Sequence, residues 1–317
     1  MVDTAPIAWA LRALRAWGVG KADLELIRDR DNTTFAVSVD GKRRYALRVC
    51  RPHPKRISRA ARELAWLRAL ERDTNLPLAQ PHAMHVDATD GRVCLAFRWV
   101  DGEPLDGIKL TVKEARAIGR IAATLHQHAR TWPTETTKRD LRPSELGRWH
   151  APGGYKVGRA LQSLTSTETS VIDAAARMTR DLAGTLMDGG NPYGLIHADL
   201  TPDNCIAHRD DVIPIDFADT SYGFFLYDIA IFFASIHGRA DRDALGDAYF
   251  DGYEMVLPAP RAAMATIDRL IIVRLVSQAI WLARHAPESQ FGPADLVRAK
   301  WQIAEIDRLL GRLKAPG

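Results

Sequence analysis

The sequence predicts an α+β fold in two lobes: an N-terminal antiparallel sheet carrying one main helix, then a mainly helical C-terminal lobe. Three observations predict it. Short apolar runs separated by turn residues recur between residues 24 and 100, with a single helical repeat among them. From Thr111 onward, apolar residues recur mostly at helical spacing. The length, 317 residues, suggests two lobes rather than one core.

Taken in order, residues 1–17 read as an amphipathic helix with Ile7, Leu11 and Leu14 on one stripe. Residues 24–30, 33–40 and 44–50 read as strands, and Asp40-Gly41 is a hairpin signal between the second and third. Ile57, Ala61, Leu64, Leu67 and Leu70 predict a helix over 57–72. Two further strands follow at 83–87 and 92–100, joined by the turn Thr89-Asp90-Gly91. The polar segment 100–105, VDGEPL, is the candidate linker, so the expected division is 1–99, 100–105 and 106–317. Thr111 with Glu114 forms a capping-box signature for a helix running to about Ala129. Residues 132–154, rich in Pro, Gly and charge, are expected to be a long loop or short helical pieces. Helices are expected at 160–187, 226–236, 241–256, 261–286 and 294–313, with strands at 194–196 and 212–215.

Composition excludes several classes. Hydrophobic residues make up 46% and charged residues 26%, as in ordinary globular proteins. A net charge of +4 without a long basic run gives no nucleic-acid signature. No apolar run is long enough to span a membrane. Asp3 and the lack of a continuous apolar core argue against a secretory leader, and three widely spaced cysteines suit a reducing cytoplasm.

The chemistry concentrates in residues 194–219, GLIHADLTPDNCIAHRDDVIPIDFAD. His197, Asp199 and Asn204 form an H-x-D-x-x-x-x-N pattern, and Asp216 follows at the end of an apolar run. Phosphoryl transfer needs this set: a carboxylate to orient or deprotonate the acceptor hydroxyl, and oxygen ligands for magnesium on the nucleotide phosphates. Asp199 is the candidate base, Asn204 and Asp216 the candidate metal ligands, and His197 a candidate support for the loop. The bland alternative, a polar hairpin with satisfied turn acids, would suit a lone H-x-D better than the full set.

The nucleotide side is less distinctive. Arg48 ends the third strand and Glu63 lies on the next helix, where it can hold a phosphate-binding cation; an exposed strand Arg with a solvated helix Glu would look the same. Protein kinases place Lys where Arg48 stands, and Arg differs in shape and donor geometry. No G-x-G-x-x-G loop occurs, and Asn32, Thr33 and Thr34 occupy that turn. They either offer backbone N–H and hydroxyl groups to phosphates or form a plain hairpin.

These segments together resemble the aminoglycoside phosphotransferase and choline kinase-like superfamily, in its bacterial branch near type II homoserine kinases, hydroxylysine kinase-like proteins and stress-response kinases. The carriers are DNTTFAVSVDGKRRYALRVCRP, RELAWLRAL, LAFRWVDGEPL, GLIHADLTPDNC and PIDFADTSYGFFLYDIAIFF, in the family's order across most of the chain. The resemblance implies a two-lobed protein-kinase-like fold with ATP between the lobes and magnesium-dependent transfer to a small-molecule hydroxyl. It implies Arg48 and Glu63 at the phosphates and the adenine near Phe97, Trp99 and Val100. It carries the catalytic carboxylate onto Asp199 and the metal ligands onto Asn204 and Asp216. Asp228 matches a family acid that supports the catalytic loop; a solvated acid at a helix start is the alternative.

The acceptor is less legible. Asp219 either binds a substrate amine or caps the turn after it, and Tyr222 and Trp281 are further candidates. Asp251, Tyr253 and Glu254 lie on a later helix. The chain is not acidic overall, which favours an amino-alcohol, amino acid or sugar-like acceptor over a polycation. A Ser/Thr protein kinase is the rival reading, disfavoured because Asp228 follows Asp216 within twelve residues. A catalytically weak ATP-binding regulator is the third. The choice of ATP over GTP and the oligomeric state carry no sequence signal.

Overall fold

The computed structural model describes residues 5–30, 32–51, 56–107, 109–132, 161–288 and 292–314. It contains two compact units, Met1–Leu110 with Pro202–Thr220, and Thr111–Thr201 with Ser221–Gly317.

The first unit is built on a five-stranded antiparallel sheet of order β1-β2-β3-β5-β4. Its strands are β1 (Asp23–Asp29), β2 (Asn32–Val39), β3 (Lys42–Cys50), β4 (Pro81–Val86) and β5 (Val93–Arg98). Helix α1 (Ala5–Ala16) precedes them, and α2 (Arg56–Asp73) lies between β3 and β4. Strand alternation sorts the sheet residues into two faces. Phe35, Val37, Leu47, Val49 and Cys94 pack with Ala10, Ala13 and Leu14 of α1. The residues between them, Cys50, Val93 and Leu95, pack with Ala60 and Leu64 of α2. Arg48, between Leu47 and Val49, therefore falls on the α2 face. The stripe expected on α1 is corrected: Ile7 and Leu11 are exposed, and the buried side is Ala10, Ala13 and Leu14. Two alanines let the helix backbone approach the sheet more closely than the larger residues would.

A three-stranded sheet of order β6-β8-β9 also belongs to this unit: β6 (Glu103–Pro104), β8 (Cys205–His208) and β9 (Asp211–Pro214). The 3-10 turn Phe217–Asp219 docks on α2, with the Phe217 ring edge-on to Trp66 at 5.8 Å and Arg62 donating to the Thr220 carbonyl at 3.0 Å.

The second unit pairs β7 (Tyr193–Ile196) antiparallel with β10 (Ser221–Phe224) amid six helices among the described residues. These are α3 (Val112–Thr131), α4 (Ser166–Asp188), α5 (Phe225–Ser235), α6 (Arg242–Glu254), α7 (Met264–His285) and α8 (Gly292–Lys314). Thr111 and Glu114 form the expected capping box. A second box, Thr165 with Glu168, starts α4 at Ser166 rather than at the expected 160. The loop expected over 132–154 lies outside the described residues from 133 onward. Helix α5 is apolar on nearly every side and correspondingly buried, with Asp228 in its first turn. None of the described helices is long and apolar enough to cross a membrane.

Helices α3 and α6 cross at a contact that admits no side chain. A Cβ on Gly119 would lie 1.9 Å from the Tyr249 carbonyl oxygen, and one on Gly252 1.8 Å from that of Arg116. Gly252→Ala is expected to destabilise the protein by about 2–3 kcal/mol, the range for overpacking a tight contact. Denaturant midpoints measure it, and an unchanged midpoint would mean that the helices stand further apart.

Candidate active site

In the first unit the site is organised by a buried cation. Arg48 pairs across the sheet with Thr34 on one side and Leu95 on the other. Its Nη2 donates to Glu63 Oε2 of α2 at 2.5 Å, and its Nη1 to Asp216 Oδ1 at 2.9 Å. The side chains of Arg48 and Glu63 are 7% and 4% exposed, and that of Asp216 is 36% exposed. The guanidinium also lies 5.3 Å from the centre of the Phe97 ring. Burial alone would lower the Arg48 pKa, but the charges of Glu63, Cys50 and Asp216 outweigh it and push it up, so the group stays cationic. Arg48 Nε and Glu63 Oε1 are buried without a hydrogen-bond partner among the described residues. The alternative of an exposed Arg and a solvated Glu is thereby excluded.

Asp216 directly precedes the docked 3-10 turn and adopts a left-handed conformation, φ 58°. Such a conformation is strained for a residue with a Cβ and persists where its surroundings fix it, here the Arg48 pair and the Phe217 contact. Asn204 is buried, and its carbonyl accepts the Ile215 N–H at 2.9 Å, which ties the two candidate metal ligands to one β8–β9 hairpin. Among the described residues no group of three or more His, Cys, Asp or Glu could hold a metal ion. Asn204 and Asp216 supply two hard oxygens, which suits magnesium completed by phosphate oxygens and water.

The other nucleotide-side residues are placed as follows. The strand resumes at Asn32, so Asn32, Thr33 and Thr34 are the first residues of β2, opposite Cys50, Val49 and Arg48, rather than residues of the turn. The Thr33 hydroxyl donates to Asp29. Phe97 is in β5, and Trp99 and Val100 follow the end of that strand. The Trp99 N–H donates to the Arg44 carbonyl, and its ring carries Arg43 at 4.8 Å.

In the second unit the loop after β7 carries His197 and Asp199. Asp228 of α5 clamps it: one carboxylate oxygen accepts the His197 N–H at 2.9 Å and the other the Ala198 N–H at 2.7 Å. Ala198 is left-handed, φ 65°, a strain that these two bonds hold in place. Asp228 is buried rather than solvated. Burial would raise its pKa, but the hydrogen bond and charge of His126, the charge of His197 and the Ala198 N–H outweigh it, so the carboxyl is held below its usual range. His197 is fully buried, and its Nδ1 receives the Asp199 N–H at 3.3 Å.

Two residues here escaped sequence reasoning. His126 of α3 stacks on Phe225, meets Asp228 at 3.4 Å and meets the Tyr253 hydroxyl at 2.9 Å. Arg274 of α7 forms an ion pair with Asp199. Both lie far in sequence from the motif they support, so spacing within the motif gives no sign of them.

Of the acceptor candidates, Asp219 ends the 3-10 turn in the first unit, while Tyr222 in β10 and Trp281 in α7 belong to the second. The Trp281 ring packs on His285 at 4.6 Å. Asp251 and Glu254 form exposed ion pairs with Arg261, and Tyr253 is buried against His126.

A sheet-borne cation held by a helix acid and by the carboxylate before a docked turn in one unit, and a clamped His-x-Asp loop in the other, are each candidate parts for phosphoryl transfer. The model of the phosphotransferase enzyme family matches residues 23–265. The chain belongs to that family, and is a small-molecule kinase. Among solved structures it is similar to a microcompartment-associated aminopropanol kinase: 24% identity, TM-score 0.76, 96% of this chain and 98% of the other covered. It is also similar to an amicoumacin kinase in complex with AMP-PNP, Ca2+ and Ami, at 17% identity and TM-score 0.69 over 97% and 96% of the two chains. A third likeness is to the Plasmodium vivax ethanolamine kinase, at 16% identity and TM-score 0.66 over 95% and 89%. At these identities the likeness is one of fold. No curated protein matches the sequence.

Proposed function

We propose that the protein is a Mg-ATP-dependent kinase that moves the γ-phosphoryl group to a hydroxyl of a small molecule, with Asp199 as base. The acceptor class is an amino-alcohol, amino acid, sugar or aminoglycoside-like compound. The observation that carries this reading is the double engagement of Arg48 by Glu63 and Asp216. It supports a phosphate clamp in which the helix acid anchors the cation beside a candidate metal ligand.

In this reading Arg48 binds the nucleotide phosphates and Glu63 keeps it in place. Asn204 and Asp216 hold magnesium, which supplies charge neutralisation on the phosphates when bound. Asp199 accepts the acceptor proton and fixes the direction of attack. Phe97, Trp99 and Val100 serve the adenine, and Asp219, Tyr222 and Trp281 the acceptor. The interval from Asp216 to Asp228 is filled by the 3-10 turn, β10 and the start of α5. That favours a small acceptor over a protein, which needs a longer segment to form a peptide groove. A reducing cytoplasm suits Cys50, Cys94 and Cys205, all buried free thiols.

The test is phosphate transfer from Mg-ATP to a panel of amino-alcohols, amino acids, sugars and aminoglycosides, with and without chelator, for the wild type and Asp216→Ala. Transfer to at least one acceptor is expected, lost on chelation and in Asp216→Ala. Undiminished transfer in that variant would remove Asp216 from the metal site. Nucleotide binding without transfer to any acceptor would install the regulator reading instead.

A further inference from the structure

The backbone clamp from Asp228 fixes the loop that carries Asp199, but it does not fix rotation of the Asp199 side chain. A carboxylate that must meet a hydroxyl in line with a phosphorus atom needs its own restraint, since misplacement by about 1 Å can cost about 10²-fold in rate. Arg274 is placed to supply it. Its Nη2 is hydrogen-bonded to Asp199 Oδ1, and the two side chains are 12% and 25% exposed. At this depth an ion pair is more rigid than a surface pair and less screened by solvent.

Arg274 is itself supported. Gln278 lies one turn further along α7, on the same face. With its amide turned so that oxygen faces the guanidinium, Gln278 accepts from Arg274 Nη2 at 3.2 Å and from Nε at 3.3 Å. The Gln278 amide meets that of Gln302 on α8 at 3.0 Å, and Gln302 is buried. Turning both amides completes a chain from Gln302 through Gln278 and Arg274 to Asp199. Every link belongs to the second unit.

We propose that Arg274, backed by Gln278 and Gln302, is a positioning residue that holds the Asp199 carboxylate in the rotamer from which it meets the acceptor hydroxyl. The inference rests on Asp199 being the base. By taking Oδ1, the guanidinium fixes where the second oxygen points. Arg rather than Lys suits the task, because its planar fork engages Asp199 and Gln278 at once.

The experiment measures kcat and acceptor KM for Arg274→Gln, Arg274→Lys and Gln278→Leu, using the acceptor found in the panel. Arg274→Gln is expected to lower kcat by about 10²-fold with acceptor KM within about twofold. Lys should recover part of the loss, and added guanidinium should restore turnover to Arg274→Ala. Gln278→Leu, which leaves both charges in place, should lower kcat less and keep the check open if the Arg274 variants fold poorly. In an Asp199→Asn background, Arg274→Gln should add no further loss. A wild-type kcat in Arg274→Gln overturns the proposal. So does a loss confined to acceptor KM, or an undiminished loss in the Asp199→Asn background. If Asp199→Asn stops transfer and Arg274→Gln does not, only this inference fails; if Asp199→Asn transfers normally, the base assignment fails and takes it along.

Discussion

Asp199→Asn is expected to lower kcat by about 10³-fold, within the range for losing a positioned general base, while the protein stays folded and the KM for ATP stays near the wild-type value. The fold is spared because the substitution is close to isosteric and the loop is held from its backbone by Asp228, not from the Asp199 side chain. The charge of the Arg274 pair is lost, but the amide oxygen that replaces the carboxylate oxygen can still accept from the guanidinium, which limits the stability cost. The nucleotide side is spared because Arg48, Glu63 and Asp216 make their contacts without Asp199. Single-turnover transfer measures the chemical step, and a melting curve controls for folding. A folded Asp199→Asn protein that turns over like the wild type would assign the base elsewhere. A loss confined to ATP KM would move Asp199 from the chemistry to nucleotide binding.

The parts legible in the sequence were those encoded locally. Period-2 runs with Asp40-Gly41 between them located β2 and β3, and the Thr111–Glu114 box located the start of α3, because a strand's alternation and a helix's cap are each settled within a few residues. The candidate site segment is local in the same way: 197–216 carries its acids and amide on one continuous stretch. What escaped was set by tertiary partners. The apolar stripe of α1 pointed to Ile7 and Leu11, yet the sheet selects the face bearing Ala10 and Ala13, since close backbone approach outweighs side-chain size there. The start of α4 was misplaced because Thr165–Glu168 lies among other polar residues that weaken its contrast. His126 meets Asp228, and Arg274 meets Asp199, from helices more than seventy residues away in sequence. A His on α3 and an Arg within an apolar helix look the same whether they face solvent or a buried carboxylate. Conversely, Arg48 could be assigned a face from strand parity alone, but that Glu63 would meet it depended on how α2 is seated, which parity does not encode.

That seating makes the Arg48–Glu63 pair the place where stability and activity can be separated. Arg48→Met is expected to abolish transfer and to cost about 3–5 kcal/mol of stability, the range for breaking a buried ion pair. Most of that cost falls on Glu63, left buried without its counter-charge, rather than on Asp216, which is more than a third exposed. Its sign can be checked against pH. Burial pushes the Glu63 pKa up, and Arg48 is the main opposing charge. Without Arg48 the folded protein retains a proton on Glu63 that the unfolded chain releases above about pH 4.3. The unfolded state then binds fewer protons, so the stability of Arg48→Met should fall, relative to wild type, as pH rises from about 4 toward neutrality. The double variant Arg48→Met/Glu63→Leu removes both charges. It should recover most of the stability and lose that slope, since apolar side chains commonly replace a buried pair without penalty. Transfer should nevertheless remain abolished, because no cation is left for the phosphates. Recovery of turnover along with stability in the double variant would show that the pair serves the fold alone. Urea melts at pH 4.5 and pH 7.5 beside a transfer assay distinguish the two outcomes.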